Sequence, residues 1–135
     1  LEKAPAIHAM LDLQPDRYDF RVINCGDAEL AMAFSANDIN STRTLFRSLS
    51  WSREETRLVY NHRADRPGRL RSFVDWLSKP GWQQVLILGD TPRWGLKTAS
   101  YVRPGDVAEF LALFRPGDRV FGCGNIAGIP LSLPA

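Results

Sequence analysis

The stretch AMAFSANDINSTRT, residues 31–44, decides how the chain folds. Residues 28–34 are almost entirely apolar, which predicts a buried strand, and Leu45, Phe46 and Leu49 follow at the spacing of one helix face. The small polar residues between these elements are typical helix caps, because a short side-chain oxygen accepts a hydrogen bond from the free N–H groups of the first turn. Such a turn, at the carboxyl end of a strand, is also where open α/β sheets bind anions. A single turn of this kind is more often an ordinary cap, but the chain repeats the pattern.

The composition is that of one globular domain. The chain has 135 residues, of which 44% are hydrophobic and 24% charged, and no apolar run reaches the length of a membrane span. The net charge of +2 does not by itself indicate a nucleic acid or a membrane as partner. Most of the basic residues are arginine, which suits bidentate capture of carboxylate or phosphate.

The cysteines and histidines indicate no metal site. Cys25 and Cys123 lack metal-ligand spacing, and each flanks an apolar run, so we expect buried free thiols in a reducing compartment. His8 and His62 are too few for a convincing metal centre, and a structural or solvent role is favoured for both.

The rest of the chain alternates strands with helices. Residues 1–19 are expected to be an entry segment, and residues 20–135 the domain itself. Strands are predicted at residues 21–25, 28–34, 56–60, 84–89 and 118–121, with a short strand or loop at 100–103. Helices are predicted from the central turn to about residue 50, from Pro67 to Pro80, and on the face formed by Val107, Phe110, Leu111 and Phe114. This order predicts a three-layer, Rossmann-like α/β domain with a mostly parallel sheet.

Polar turns follow the predicted strands, and in a parallel sheet the turns at the carboxyl ends share one edge. They are residues 35–38 (SAND), 61–66 (NHRADR), 90–93 (DTPR) and 122–125 (GCGN). Their acids, arginines and amides suit a ligand with an amine and carboxylates, or a nucleotide. Each turn also has a structural alternative: Asp90 can cap a helix, while Arg69 and Arg71 are expected on the solvated face of the second helix.

The usual motifs that hold nucleotide phosphates are missing from the sequence. Gly122, Gly124 and Gly128 give G-x-G-x-x-x-G, which is not the dinucleotide fingerprint. Lys97 and Thr98 are not preceded by the G-x-x-x-x-G-K pattern of a P-loop. We therefore expect any β- and γ-phosphates to be held elsewhere.

The four turns, in this order, resemble the C-terminal domain of the ligase subunit of poly-γ-glutamate synthase, a capsule-type enzyme related to the Mur ligases. FSANDINST is similar to the family's F-A-A-N-D-x-x-S-T segment, NHRADR to N-x-R-A-D-R, LILGDT to L-I-L-I-G-[DE]-T, and VFGCGNIAG to V-[IF]-G-x-G-N-I-x-G. The likeness spans residues 20–128, nearly the whole chain. It implies a fold similar to that of the Mur ligase C-terminal domain.

The resemblance further implies an ATP-dependent amide ligase whose P-loop ATPase domain is absent from this chain. ATP would phosphorylate the γ-carboxylate at the end of a growing chain, and the amine of an incoming glutamate would attack the acyl phosphate. ATP and Mg²⁺ are expected mainly on the ATPase domain, so this chain alone would be inactive. The implied partners are glutamate, poly-γ-glutamate, that ATPase domain and membrane subunits of a synthase, with no nucleic acid. The implied location is the cytoplasm, at the inner face of the membrane.

Roles for individual residues also come from the resemblance, although it identifies no catalytic residue and no metal ligand. The nucleotide-binding or domain-closure set is Asn37, Asp38, Ser41, Thr42 and Asn125. The substrate-binding set is Arg63, Asp65, Arg66, Asp90, Thr91 and Arg93. Arg63 or Arg66 would hold an α-carboxylate in a bidentate fork, and Asp65 would orient the arginines or meet the ammonium. Residues 90–93 fall where Mur ligases carry a D-N-P-R amino-acid clamp, although the family segment does not require an arginine at position 93.

Two other functions stay open at this point. A non-catalytic α/β module that senses a nucleotide or an amino acid would bind its ligand without an upstream domain. A nucleic-acid binder using residues 63–71 would show salt-dependent binding. The near-neutral charge and the lack of an aromatic stacking platform beside those arginines disfavour the second alternative.

Overall fold

The computed structural model describes residues 20–36, 38–90, 96, 99–126 and 128–133. The strands are β1 (Arg21–Cys25), β2 (Ala28–Met32), β3 (Thr56–His62), β4 (Gln84–Gly89), β5 (Ala99–Tyr101) and β6 (Arg119–Gly124). The helices are α1 (Ile39–Ser48), α2 (Pro67–Leu77), α3 (Val107–Leu111) and α4 (Ile129–Ser132), with a 3₁₀ turn at Arg53–Glu55.

The strands form one six-stranded sheet in the order β1-β2-β6-β3-β4-β5. Strand β1 is antiparallel to β2, as a hairpin, and the other pairs are parallel. Helices α1 and α2 pack on one face of the sheet, and α3 and α4 on the other. The predicted three-layer α/β fold with a mostly parallel sheet is therefore confirmed.

Burial on both faces explains the apolar sequence of β4. Val85 and Ile87 belong to the core under α1 and α2, whereas Leu86 and Leu88 belong to the core under α3 and α4. A parallel strand covered on both sides needs an unbroken apolar run, which is what QVLILG supplies up to Gly89. The predicted limits of this strand are confirmed.

An aromatic cluster fixes α1 and α2 on their face of the sheet. The Phe46 ring of α1 meets Trp76, Trp82 and Phe121 edge-on, at centroid distances of 5.9, 5.1 and 5.3 Å. Edge-to-face aromatic contacts add to the area that the rings bury. The cluster thereby joins the last turns of both helices to each other and to Phe121 of the sheet.

The central stretch folds as a strand, a cap and a helix, as predicted. Asp38 Oδ2 accepts a hydrogen bond from Ser41 N at 3.0 Å, and Asp38 Oδ1 accepts one from Ser41 Oγ at 2.7 Å. The buried Thr42 hydroxyl donates to Asp38 O at 2.9 Å. The strand ends at Met32, two residues before the predicted end, although Phe34 is still buried.

Two predicted limits at the carboxyl edge were wrong. Strand β3 continues to His62 and β6 continues to Gly124, so that Gly122 and Gly124 belong to the strand and not to a turn. Packing explains these glycines: a Cβ at Gly122 would collide with the Phe34 ring, and one at Gly124 would collide with the Asn61 backbone. The glycines allow close approach rather than chain reversal.

A mostly buried ion pair joins strands at the opposite edge of the sheet, where the amino ends of the parallel strands lie. Arg57 Nη1 lies 2.7 Å from Asp118 Oδ2, and both side chains are 11% exposed. Arg57 also donates to Gln84 Oε1 and to Leu113 O, which ties β3 to β4 and to the segment before β6. Burial alone would raise the pKa of Asp118, but hydrogen bonds from Arg115 N and Arg57 outweigh it and lower the pKa.

Substitution of Gly124 by alanine should destabilise the fold strongly. The new Cβ would lie 2.5 Å from Asn61 O and 2.8 Å from Asn61 N, at a residue with φ of +96°. We expect the free energy of unfolding in urea to fall by about 3 kcal/mol. Gly117→Ala is the matched control, because Gly117 has φ of +86° and open space around its Cβ position. It should lose about 1 kcal/mol, and equal losses in both variants would contradict the packing argument.

The Asp118 carboxylate should make stability depend on acid pH. A depressed carboxyl pKa stabilises the folded state above the ordinary value of 3.8, and this contribution is lost as the pH falls through the folded-state pKa. We expect Asp118→Asn to lower the free energy of unfolding by about 2 kcal/mol at neutral pH, and by less as the pH falls below 4. Urea unfolding at a series of pH values measures this, with the exposed Asp75→Asn as control. A penalty that is constant with pH would contradict the assignment.

Candidate functional site

The carboxyl ends of four adjacent parallel strands lie along one edge of the sheet, in the order β2, β6, β3 and β4. The described residues of the four predicted turns lie at or just after the ends of these strands, and they therefore share this edge. They are residues 35–36, 38, 61–66, 90 and 122–125. Asn37, Thr91 and Arg93, which were predicted as site residues, lie outside the described residues.

A cleft of about 410 Å³ opens at the ends of β3 and β4. Its charged lining residues are Arg63, Asp90 and Arg103, and Leu88 and Ile129 provide apolar wall. A small number of polar groups in an otherwise apolar concavity is the usual form of a small-molecule site. Two guanidinium groups and one carboxylate suit a ligand with more than one carboxylate and an amine.

Asp90 joins the end of β4 to the end of β3. Its Oδ2 atom accepts from Ala64 N at 2.7 Å, and its backbone N donates to His62 O at 3.0 Å. Gly89 makes this approach possible, because a Cβ there would lie 2.5 Å from His62 O. The Asp90 side chain is exposed, so its carboxylate can also be reached by a ligand.

The guanidinium of Arg63 already makes a bidentate contact with the carboxylate of Asp65. Its Nε atom lies 3.0 Å from Asp65 Oδ1, and its Nη2 atom lies 2.7 Å from Asp65 Oδ2. The side chains are 39% and 61% exposed, so the pair contributes little to stability and can exchange with a ligand carboxylate. Arg66, the residue before α2, is exposed and is not among the residues that line the cleft.

A hydrogen-bond network joins the carboxyl ends of β3 and β6. Asn61 Nδ2 donates to Asn125 O at 2.7 Å, and Asn125 N donates to Asn61 O at 2.9 Å. Arg69 Nη1 reaches Asn125 Oδ1 at 3.3 Å and Gly124 O at 3.4 Å. The buried Asn125 side chain therefore holds the turn after β6 in place.

Arg69 corrects one expectation and Arg71 confirms another. Arg69 is half-buried and turned toward the end of β6, although it was expected on the solvated face of α2. The first turn of α2 stands over the ends of β3 and β6, where acceptors at Gly124 and Asn125 need a donor. Arg71 is exposed, as expected.

The predicted nucleotide residues lie mainly near a second cleft, at the end of β2. This cleft, of about 520 Å³, is lined by residues that include Ser35, Asn40 and Ser41. The hydrogen bonds from the Ser41 side chain and backbone lower the pKa of Asp38, which therefore carries a negative charge where a helix N-terminus would otherwise attract phosphate. The Asp38 carboxylate disfavours a phosphate at this helix N-terminus, and the nucleotide-binding role of the set stays a prediction. Other roles of this set stay predictions.

His62 is a buried histidine at the cleft. It is 5% exposed, lines the cleft, and its ring centroid lies 6.3 Å from that of Tyr60. Its Nδ1 atom has no hydrogen-bond partner among the residues that the structure describes. Burial lowers the pKa of His62 below its ordinary value of 6.5, and the negative charge of Asp90 offsets part of that effect.

Arg103 is the cleft residue that motif analysis missed. It follows β5, a strand of three residues, and belongs to none of the four turns. The available signal was positional: Arg103 is the last residue of the segment predicted as a short strand or loop at 100–103, and the end of a parallel strand lies at the same edge as Arg63. Sequence patterns do not distinguish a strand from a loop at residues 100–103, so they do not place the end of this segment at the edge.

The described residues offer neither a metal cluster nor a spanning helix. No group of three or more His, Cys, Asp or Glu side chains lies together within them. No helix there is long and apolar enough to cross a membrane. Cys123 is a buried free thiol, as expected, whereas Cys25 is a free thiol that is half-buried.

The His62 pKa should be measurable and should depend on Asp90. We expect the ring to titrate below pH 6.5 when followed by its proton or ¹³C resonances. Asp90→Asn should lower the pKa further, because it removes the negative charge that favours the protonated ring. The exposed Asp75→Asn serves as control. A rise of the pKa in Asp90→Asn would contradict this electrostatic account.

Comparison with known proteins identifies a family for the chain. Neither a curated protein nor a solved structure matches it. A family model described as "Poly-gamma-glutamate synthase CapB C-terminal domain" matches residues 18–134, which is most of the chain. This agrees with the family indicated by the four turns, while the relation to Mur ligases stays a prediction. The chain belongs to the family of the CapB C-terminal domain of poly-γ-glutamate synthase.

Proposed function

We propose that this chain is the domain of an ATP-dependent amide ligase, a component of poly-γ-glutamate synthase, that holds the incoming glutamate. The observation that carries the proposal is the cleft at the ends of β3 and β4, because its lining contains both Arg63 and Asp90. Charged groups of both signs on an apolar wall suit an amino acid better than a neutral ligand. The family match supports the synthase, and the cleft supports the substrate.

In this proposal the residues of the cleft bind and orient, and the chemistry comes from a separate domain. ATP and Mg²⁺, held mainly by a P-loop ATPase domain, would supply the phosphorylation that activates the γ-carboxylate of the growing chain. The amine of the incoming glutamate then attacks the activated carbon, an amide forms, and phosphate leaves. Holding the amine in line with that carbon is the contribution expected from this chain.

The contacts support a proposed role for several of these residues. The α-carboxylate of glutamate takes the place of Asp65 on the Arg63 fork, an exchange between two carboxylates in an exposed pair. The ammonium donates to Oδ1 of Asp90, whose other oxygen is fixed by Ala64 N. Arg66, exposed just before α2, meets carboxylates of the polymer. Thr91 and Arg93 are proposed as further substrate-binding residues, on the strength of the resemblance alone.

The cleft at the end of β2 is proposed as the closure surface. Ser41 lines it, and Asp38 and Thr42 hold the start of α1 in a fixed position beside it. We propose that Asn37 and the start of α1 contact the ATPase domain or the nucleotide ribose rather than a phosphate. Asn125 would hold the turn after β6 in place beside this surface. The synthase as a whole would lie at the inner face of the membrane with its membrane subunits.

The proposal is tested by supplying the ATPase domain in trans. The chain alone should not hydrolyse ATP, whereas the mixture should release ADP in proportion to added glutamate. Asp90→Asn should reduce glutamate-dependent ADP release about tenfold, because a charge-assisted hydrogen bond to the ammonium is lost. The exposed Asp75→Asn should behave as the wild type.

Two results would contradict the proposal. ATP hydrolysis by the chain alone, at a real turnover rate, would exclude the role of a domain dependent on a separate ATPase. Glutamate binding without any ADP release from the mixture would favour the alternative, a non-catalytic binding module.

A further inference from the structure

Building on the proposed function, we propose that Arg103 binds the side-chain carboxylate of the incoming amino acid and makes the cleft selective for a dicarboxylic amino acid. The proposal concerns the cleft at the ends of β3 and β4, where Arg103 is the second guanidinium in the lining. The family match assigns no residue to this task.

The order of charges along the edge carries the argument. Arg63 follows β3, Asp90 follows β4 and Arg103 follows β5, and β4 lies between β3 and β5 in the sheet. The edge therefore presents a positive, a negative and a positive group in succession. A dicarboxylic amino acid carries the complementary set, because its ammonium stands on a carbon between two carboxylates. A monocarboxylic amino acid offers only one carboxylate to the two guanidinium groups.

The distances between strands suit two carboxylates of a single small molecule. Neighbouring strands lie about 4.8 Å apart, so backbone positions at the ends of β3 and β5 are roughly 10 Å apart. The long side chains of Arg63 and Arg103 can close this span from both sides. Asp90, on the strand between them, is placed for the amine.

The backbone at Arg103 is held in place. Val102 N donates to Ile87 O at 3.0 Å, which extends the pairing of β5 with β4 by one residue. Pro104 follows, and a residue before proline is restricted to extended backbone. Both Arg103 and Pro104 line the cleft. The base of the arginine is therefore rigid, while its exposed side chain is accessible to a ligand.

The cleft differs from the usual site for a nucleotide phosphate. Its anionic Asp90 would lie close to the phosphate, and no described helix of eight or more residues begins in its lining. Leu88 and Ile129 offer the apolar contact that the methylene groups of an amino-acid side chain need. We therefore commit to a free dicarboxylic amino acid as the ligand.

The test compares glutamate with glutamine, which lacks the second charge but keeps the shape. Each is titrated into the chain while the amide resonances of residues 61–66 and 90 are followed. We expect the wild type to bind glutamate at least tenfold more tightly than glutamine. Arg103→Gln should weaken glutamate binding about tenfold and leave glutamine binding nearly unchanged, which abolishes the preference. Arg103→Lys should restore part of it.

Matched controls keep the result specific. Arg71→Gln removes an exposed arginine of α2 that is not in the cleft lining and should bind as the wild type does. The spectral dispersion and the melting temperature of each Arg103 variant are compared with those of the wild type, so that a loss of binding is separated from a loss of fold.

The outcomes separate this inference from the proposed function. If Arg103→Gln keeps the preference for glutamate while residues 61–66 and 90 still shift, the role of Arg103 is wrong and the proposed function stands. If glutamate shifts no resonance in the cleft but the mixture with the ATPase domain still releases ADP with glutamate, the inference again fails alone. If Mg-ADP, and not glutamate, responds to Arg103→Gln, the cleft binds phosphate and the inference is overturned.

Discussion

Close approach of three backbones at the carboxyl edge is the constraint on which the rest of the structure depends. Strand β3 lies between β6 and β4, and its last residues, Asn61 and His62, contact both neighbours. Gly124 and Gly89 face them from either side, each with a positive φ and no room for a side chain. These close contacts fix the backbone at the ends of the strands. The residues that follow the strands therefore start from fixed backbone positions.

The two edges of the sheet handle charge in opposite ways. At the amino edge, the side chains of Arg57 and Asp118 are mostly buried, and each makes further hydrogen bonds to the protein. The pair therefore has a structural role. At the carboxyl edge, Arg63 and Asp65 pair in an exposed position, and a ligand can separate them with little loss. The same residue types therefore stabilise the fold at one edge and remain available for binding at the other.

Sequence analysis predicted the elements well where one physical signal dominated. The apolar run of β4 and the proline-started helix α2 were predicted within narrow limits, because burial and capping act locally. Gly122 and Gly124 were placed in a turn, since the sequence does not show which distant backbone or ring approaches a glycine. The inward turn of Arg69 depends likewise on acceptors that tertiary structure brings beneath α2. The predicted topology placed Arg63 and Asp90 at the same edge of the sheet. Arg103 could be added to this edge only once the structure showed that β5 pairs with β4.

The strand order has a consequence for synthesis of the chain. Strand β6 comes last in the sequence, yet it lies in the middle of the sheet, where Arg119 pairs with Glu29 on one side and with Thr56 on the other. Strands β2 and β3 are not hydrogen-bonded to each other, because β6 lies between them. On the ribosome, the two halves of the sheet therefore keep unpaired inner edges until residues 119–124 emerge, and such edges invite association with other chains. The domain closes in one late, long-range step, which is the slow kind of folding event.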